Sequence, residues 1–295
     1  MTGRSPSSKI SAVISDIDGT LVTNERVLTE RSCFAASALR RAGIAFSIIS
    51  SRPPRGITDL IKRLGITTPS GCFNGGILLG PDLSVIQQHL LPPDVARLAV
   101  DVITSHGAAV WVFSGSDWLL QNPAGAYVDH EARTVGFAPI AVTDFGRALD
   151  GAAKIVGVSK NAILLKRCEA EGRVVLGADA TVARSQLYYL DVTSRLANKG
   201  AALLAMSKLL SIPTANIVVI GDGANDVAMF RQSGLSIAMG NAETSVKAAA
   251  DFVTGSNGEE GFAEAIDRII LGGDRTMPTG RQTLVSAMTQ PGAAS

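Results

Sequence analysis

The sequence predicts an α/β fold in which a parallel sheet core carries an inserted α+β domain, and three observations predict it. Short apolar runs of the kind buried on both faces occur near both ends of the chain. Each pair of runs encloses a stretch with helical spacing, whereas the middle third alternates in the manner of strands. At 295 residues the chain also exceeds the usual size of one core, so two domains are expected.

Taken in order, "AVIS" at 12–15 and "AFSIIS" at 45–50 are the first two parallel strands. Between them "TERSCFAASALRRAGI" spaces its apolar residues helically, and Gly43 is placed to cap it, which makes a βαβ unit. A second unit joins "NIVVIG" at 216–221 to "LSIAM" at 235–239 through "ANDVAMFRQSG", closed by Gly234. From Leu83 to Asp191 the strands are "AVWVFSG", "DWLLQN", "AKIVGVS", "ATVARS" and "LYYLDV". Two helices, "PDVARLAVDVITSHG" and "KNAILLKRCEAEG", punctuate them, and each ends in glycine. The expected division is therefore a discontinuous core of 1–82 and 192–295 with an insertion over 83–191. The last stretch, 272–295, is rich in small and polar residues and reads as a loose tail.

Composition narrows the function. Hydrophobic residues make up 46% and charged residues 18%, enough apolar material for a globular core. A net charge of +1 gives no electrostatic case for nucleic acid or an anionic membrane as partner. Apolar runs stop well short of the roughly 18 residues that span a bilayer. The run after the basic N-terminus is too brief for a secretory segment. Cys33, Cys72 and Cys168 are scattered without CxxC spacing, so neither disulfides nor zinc is suggested and a cytoplasmic location is expected.

The chemistry starts at "SDIDGT", Ser15 to Thr20, where the first strand ends. Residues two apart in extended chain point the same way, so Asp16 and Asp18 can face one pocket, with Gly19 allowing a tight turn. Asp222 and Asp226 in "GDGANDVAMF" leave the third strand in the same fashion. If those strands are neighbours, three or four carboxylates converge where open parallel sheets bind ligands. Such a cluster needs a cation, and hard oxygen donors suit Mg²⁺. Ser50 at another strand end and Lys199 at a helix start supply a hydroxyl and a positive charge, which together make a phosphoryl-transfer site.

Other readings of these strings fail or stay open. An EF-hand loop would need an acid or amide at Thr20 and glycine at Leu21. A dinucleotide turn would have Asp226 where its third glycine belongs. Asp226 can also be a first-turn acid favoured by the helix dipole, Ser50 a turn cap, and Asn74 the start of a hairpin turn. "YVDHEARTVG", with His130 between Asp129 and Glu131, is either a solvated polar loop or one that faces substrate. Trp111 and Trp118 read as packing residues, and Arg52 can steer anions toward the phosphate site.

"DIDGT", Ser50 followed by "SRP", "NKG" and "GDGANDVAMF" together resemble, in order and spacing, the four motifs of the haloacid dehalogenase superfamily. Within it the chain is similar to the Cof-type phosphatases, with a Rossmann-like core and a C2B cap inserted between the second and third motifs. "CFNGGIL" at 72–78 resembles that subfamily's loop before the cap. The resemblance implies Asp16 as nucleophile and Asp18 as general acid and base, with the Asp18 carbonyl on the metal. It implies Asp222 as a further Mg²⁺ ligand with Asp226 in support. Ser50, Ser51, Arg52, Lys199 and Asn225 would hold the phosphate, and Asn74 and Gly75 would lie against the substrate. Ser50-Ser51-Arg52 departs from the family's usual Thr-Gly-Arg but keeps the hydroxyl. The implied activity is hydrolysis of a small phosphorylated metabolite such as a sugar phosphate. A phosphomutase shares the same intermediate, and a phospho-aspartate receiver is the rival outside catalysis.

Overall fold

The structure, a computed structural model, describes residues 9–272. Apart from Gly272, the tail expected over 272–295 lies outside the described residues. In chain order the first part forms β1 (Ala12–Ser15), α1 (Glu30–Arg41), β2 (Ala45–Ile48), α2 (Pro54–Leu64), β3 (Ser70–Cys72), β4 (Ile77–Leu79) and β5 (Val85–Gln88). The middle forms α3 (Pro93–Ser105), β6 (Ala109–Ser114), β7 (Asp117–Leu120), α4 (Val128–Val135), β8 (Ile140–Ala141), β9 (Ala152–Val158), α5 (Ala162–Val175), β10 (Ala180–Gln186) and β11 (Tyr189–Ser194). The last part forms α6 (Lys199–Leu210), β12 (Ile217–Gly221), α7 (Val227–Phe230), β13 (Leu235–Ala238), α8 (Thr244–Ala249), β14 (Phe252–Val253) and α9 (Gly261–Glu264).

Local signals set these elements. Thr29 caps α1 by accepting a hydrogen bond from the Ser32 amide at 3.1 Å, Glu30 sits in the first turn, and Arg40 and Arg41 sit in the last. Gly43 follows at φ +71°, as its position in the sequence predicts. Asn161 caps α5 through the amides of Ile163 and Leu164.

The chain divides into two compact units. Among the described residues, one gathers those up to Ser50, Leu60–Ser70 and those from Lys199 onward, and the other takes Ser51–Asp59 and Gly71–Asn198. These borders fall elsewhere than 82/83 and 191/192, because β4 and β5 pair with each other and Phe73 packs edge-on against Phe113 of β6.

The first unit is built on a parallel sheet in the order β14-β13-β12-β1-β2. Every residue of β1 and β12 is buried, as continuous apolar runs require. From the middle of this sheet, β1 passes through α1 to β2 on one side, while β12 passes through α7 to β13 on the other. The ends of β1 and β12 therefore flank a point where the strand order reverses, the place where such sheets bind ligands.

The second unit has a six-stranded sheet in the order β10-β11-β9-β6-β7-β8, antiparallel except for β7 with β8. Helices α3 and α5 pack on one face, over Val110, Val112, Ile155, Leu190 and Val192. Residues alternate along the strands, so the opposite face carries Trp111, Phe113, Trp118 and Tyr189, with Lys154 and Asp191 among them. Trp111 and Trp118 are buried in edge contact with centroids 5.0 Å apart, the packing role expected of them.

Three local expectations are corrected. The helix expected to end at Gly172 continues to Val175, and Gly172 is there for space, since a Cβ would meet Val182 of β10 at 3.2 Å. The helix before Gly234 is only Val227–Phe230, and Gly234 instead admits the Ala215 carbonyl, which a Cβ would strike. The expected loop around His130 is the helix α4, with Val128 and Val135 turned inward. All three cysteines are free thiols: Cys33 on α1 is partly exposed, while Cys72 and Cys168 are buried. Burial pushes both buried thiols up, that of Cys168 to about 11. No helix among the described residues is long and apolar enough to cross a membrane.

Candidate active site

Parallel pairing of β1 with β12 sets Ser15 opposite Ile220, and the Asp16 amide donates to the Ile220 carbonyl at 2.9 Å. The two strands thus release Asp16 and Asp222 side by side. Asp226 follows four residues after Asp222 and turns back, its Oδ2 accepting from the Asp222 and Gly223 amides at 3.0 and 2.8 Å. Carboxylate oxygens of Asp16, Asp222 and Asp226 come within 4.8 Å of one another.

Lys199, the first residue of α6, reaches into this group. Its Nζ donates to Asp16 Oδ1 and to Asp226 Oδ1, each at 2.6 Å, and its side chain is fully buried. Burial works against the ammonium, but the charges of Asp16 and Asp226 outweigh it and hold Lys199 above the ordinary lysine range. Burial drives the Asp16 carboxyl well above the carboxylate range against the pull of Lys199, and Asp226 and Asp222 add to the rise. Burial also lifts Asp222 to about 6, with the charge of Asp226 adding and the hydrogen bond from Thr20 opposing.

Three carboxylates thus surround one ammonium, a deficit of positive charge. The donors are all hard oxygens, with no thiolate or imidazole in the group, so a divalent cation of the Mg²⁺ type fits. Gly19 is part of the fit, because it turns at φ +77° and a Cβ there would lie 2.2 Å from Asp222 Oδ2. Both oxygens of Asp226 are already engaged, by Lys199 and by the loop amides, which makes it a brace for the other two acids.

The remaining predicted residues fall into two groups. Asp18 lies past the strand end, partly exposed and bridged to Val22; its charge reaches Asp222, but its carboxylate is outside the cluster of three. Ser50 is buried two residues beyond β2, and Asn225 is exposed on the loop after β12. Ser51, Arg52, Asn74 and Gly75 belong to the second unit. There the Phe73 amide donates to the Arg52 carbonyl at 3.0 Å, and Arg52 Nη1 donates to the Gly56 carbonyl at 3.3 Å. Asn74 adopts the left-handed conformation in a 3₁₀ turn at φ 58° instead of the hairpin turn its NG pair suggests.

Two residues of this site have no role in the motif reading. Thr20 donates from Oγ1 to Asp222 Oδ1 at 3.1 Å. Asn241 donates from Nδ2 to the Gly19 carbonyl at 2.9 Å and to Asp222 Oδ2 at 3.3 Å, while its Oδ1 accepts from the Asn257 amide at 2.9 Å. The usable signal for Asn241 is position: it follows the apolar run of β13, a fourth strand end at the same edge.

Known proteins resemble the chain over most of its length. The family described as haloacid dehalogenase-like hydrolase matches residues 13–266. The chain is 29% identical over 230 residues to HMP-PP phosphatase of Cronobacter sakazakii, covering 77% of this chain and 83% of that protein. It is 25% identical over 263 residues to 5-amino-6-(5-phospho-D-ribitylamino)uracil phosphatase of Bacillus subtilis, covering 89% and 96%. A crystal structure of a haloacid dehalogenase-like hydrolase from Bacteroides thetaiotaomicron superposes with a TM-score of 0.82 at 28% identity, over 88% of this chain and all of that one.

Proposed function

Since the chain belongs to the haloacid dehalogenase-like hydrolases, we propose that it is a Mg²⁺-dependent phosphatase. In this reading it hydrolyses a small phosphorylated metabolite, a sugar phosphate by preference, through an aspartyl-phosphate on Asp16. The observation that carries it is the meeting of Asp16, Asp222 and Asp226 around Lys199 at the strand-order reversal. Relatives named as phosphatases of small phosphate compounds support the substrate class.

Asp16 attacks phosphorus, and the bond from phosphorus to the alcohol oxygen breaks as Asp18 gives that oxygen a proton. Asp18 then takes a proton from water, which attacks phosphorus and frees Asp16 together with inorganic phosphate. Lys199 holds Asp16 in place and offsets charge, and Ser50 and Asn225 donate to the phosphoryl oxygens. A divalent cation held by Asp16, Asp222 and the Asp18 carbonyl would neutralise the incoming phosphate. In this scheme the second unit is the cap that selects the alcohol portion and sheds water.

The test is release of free phosphate from p-nitrophenyl phosphate with Mg²⁺, its loss in EDTA and its return with added Mg²⁺. Turnover that ignores chelation rejects the metal role. Isomerised sugar phosphate without free phosphate selects the mutase.

A further inference from the structure

We propose that Asn241 is the positioning residue of the metal end of the site. It fixes the Asp222 carboxylate against the turn that carries the Asp18 carbonyl, the two cation ligands being drawn from separate stretches of chain. The proposal deepens the phosphatase reading and rests on it for the cation.

All of the groups involved lie in the first unit. Asn241 stands three residues past β13, and its Nδ2 carries two N–H groups. Both are used: one donates to the Gly19 carbonyl at 2.9 Å and the other to Asp222 Oδ2 at 3.3 Å. Gly19 follows Asp18 directly, so this one amide grips a carboxylate ligand and the peptide beside a carbonyl ligand. From the same turn Thr20 holds the other oxygen of Asp222, Oδ1, at 3.1 Å. With a donor on each oxygen, the carboxylate cannot rotate about its Cβ–Cγ bond without breaking one of them. Each oxygen still keeps a lone pair for a cation.

The orientation of Asn241 is itself set from behind. Its Oδ1 accepts from the Asn257 amide at 2.9 Å. A main-chain N–H can only donate and the Gly19 carbonyl can only accept, so the side-chain amide has one way round. Asn257 is buried, and its Nδ2 donates to the Val22 carbonyl at 3.0 Å and to Asn24 Oδ1 at 3.1 Å. Val22 is bridged in turn to Asp18. A closed ring of contacts thus runs from Asp18 through Val22, Asn257 and Asn241 back to Gly19, with Asp222 held on its Asn241 side.

Stability does not account for Asn241. It is exposed, and hydrogen bonds made in contact with water add little to folding because water replaces them. Water cannot replace the aim. A carboxylate solvated on one side samples several orientations, whereas a small hard cation with strict geometry binds the aligned one.

The test measures binding of Mn²⁺ alone to the full chain, without substrate, from the loss of the free-ion electron paramagnetic resonance signal. Asn241→Ala should raise the Mn²⁺ Kd about 10- to 100-fold, the range expected when a partner behind a metal ligand is removed. Its Tm in EDTA should stay within about 3 °C of the wild type, as befits an exposed side chain. On p-nitrophenyl phosphate the Mg²⁺ concentration for half activation should rise by the same factor, while kcat at saturating Mg²⁺ falls less than about threefold. An unchanged Mn²⁺ Kd overturns the proposal. Weaker binding with a Tm in EDTA lowered beyond those few degrees also overturns it, since that marks a residue of the fold. A wild type that binds no Mn²⁺ removes the cation from the proposal and the phosphatase reading together. The expected Kd change with no ester giving up phosphate would refute the phosphatase reading alone.

Discussion

In the first unit β12 is buried at all five positions and delivers its acids only where it ends, whereas in the second the paired strands β9 and β11 carry Lys154 and Asp191 mid-strand. A parallel strand covered on both faces has no room for charge along its length, so function collects at its tip. A sheet with helices on one face leaves the other available for polar groups. The clustered acids are accordingly braced by Thr20, Asn241, Lys199 and backbone amides, while the second sheet keeps a carboxylate oxygen and an indole N–H without protein partners among the described residues.

The largest effects should come from breaking the braced site. Asp16→Asn should lower kcat on p-nitrophenyl phosphate by at least about 10⁴-fold, since an amide is a poor nucleophile, with an unchanged far-ultraviolet circular dichroism spectrum. Asp18→Ala should cost about 10²- to 10⁴-fold if it shuttles the proton. Normal rates in either variant would remove that residue from the mechanism.

Lys199→Met should cost about 10²- to 10³-fold in kcat and, unlike the aspartate variants, lower Tm by about 5–10 °C, because Asp16 and Asp226 stay buried without a counter-charge. A calorimetric Tm equal to wild type would show that the ammonium is not what holds this corner together.

A smaller effect tests the sign of the Asp222 shift. Its folded value of about 6 lies above the ordinary 3.8, so the metal-free native state holds a proton that the unfolded chain has released. That stabilisation is complete below the unfolded value and is lost as pH rises through about 6. In EDTA, Asp222→Asn should therefore gain on the wild type by about 2–5 °C in Tm between pH 4 and pH 7. A margin that shrinks over that range would contradict the shift.

How much of this was legible depended on which rule governed each segment. Asp16 and Asp222 could be placed because a fully buried strand reads as an unbroken apolar run whose end is unmistakable. Their adjacency needed the strand order, which only the structure supplies. Thr20 lay inside a quoted motif, yet its bond to Asp222 depends on a contact 202 residues away in sequence. The helix α4 escaped notice because only Val128 and Val135 turn inward, seven residues apart in a run otherwise dominated by charge. Lys154 and Asp191 were unreadable for a different reason: cross-strand partners follow from register, and no local pattern records it.

The thiols have a practical outcome. Cys72 and Cys168 are shut away and held protonated, so at neutral pH a maleimide dye should choose Cys33 on the surface of α1. The native chain thus offers one addressable position on its first unit, and a fluorophore there could follow ligand binding in real time without any engineered cysteine.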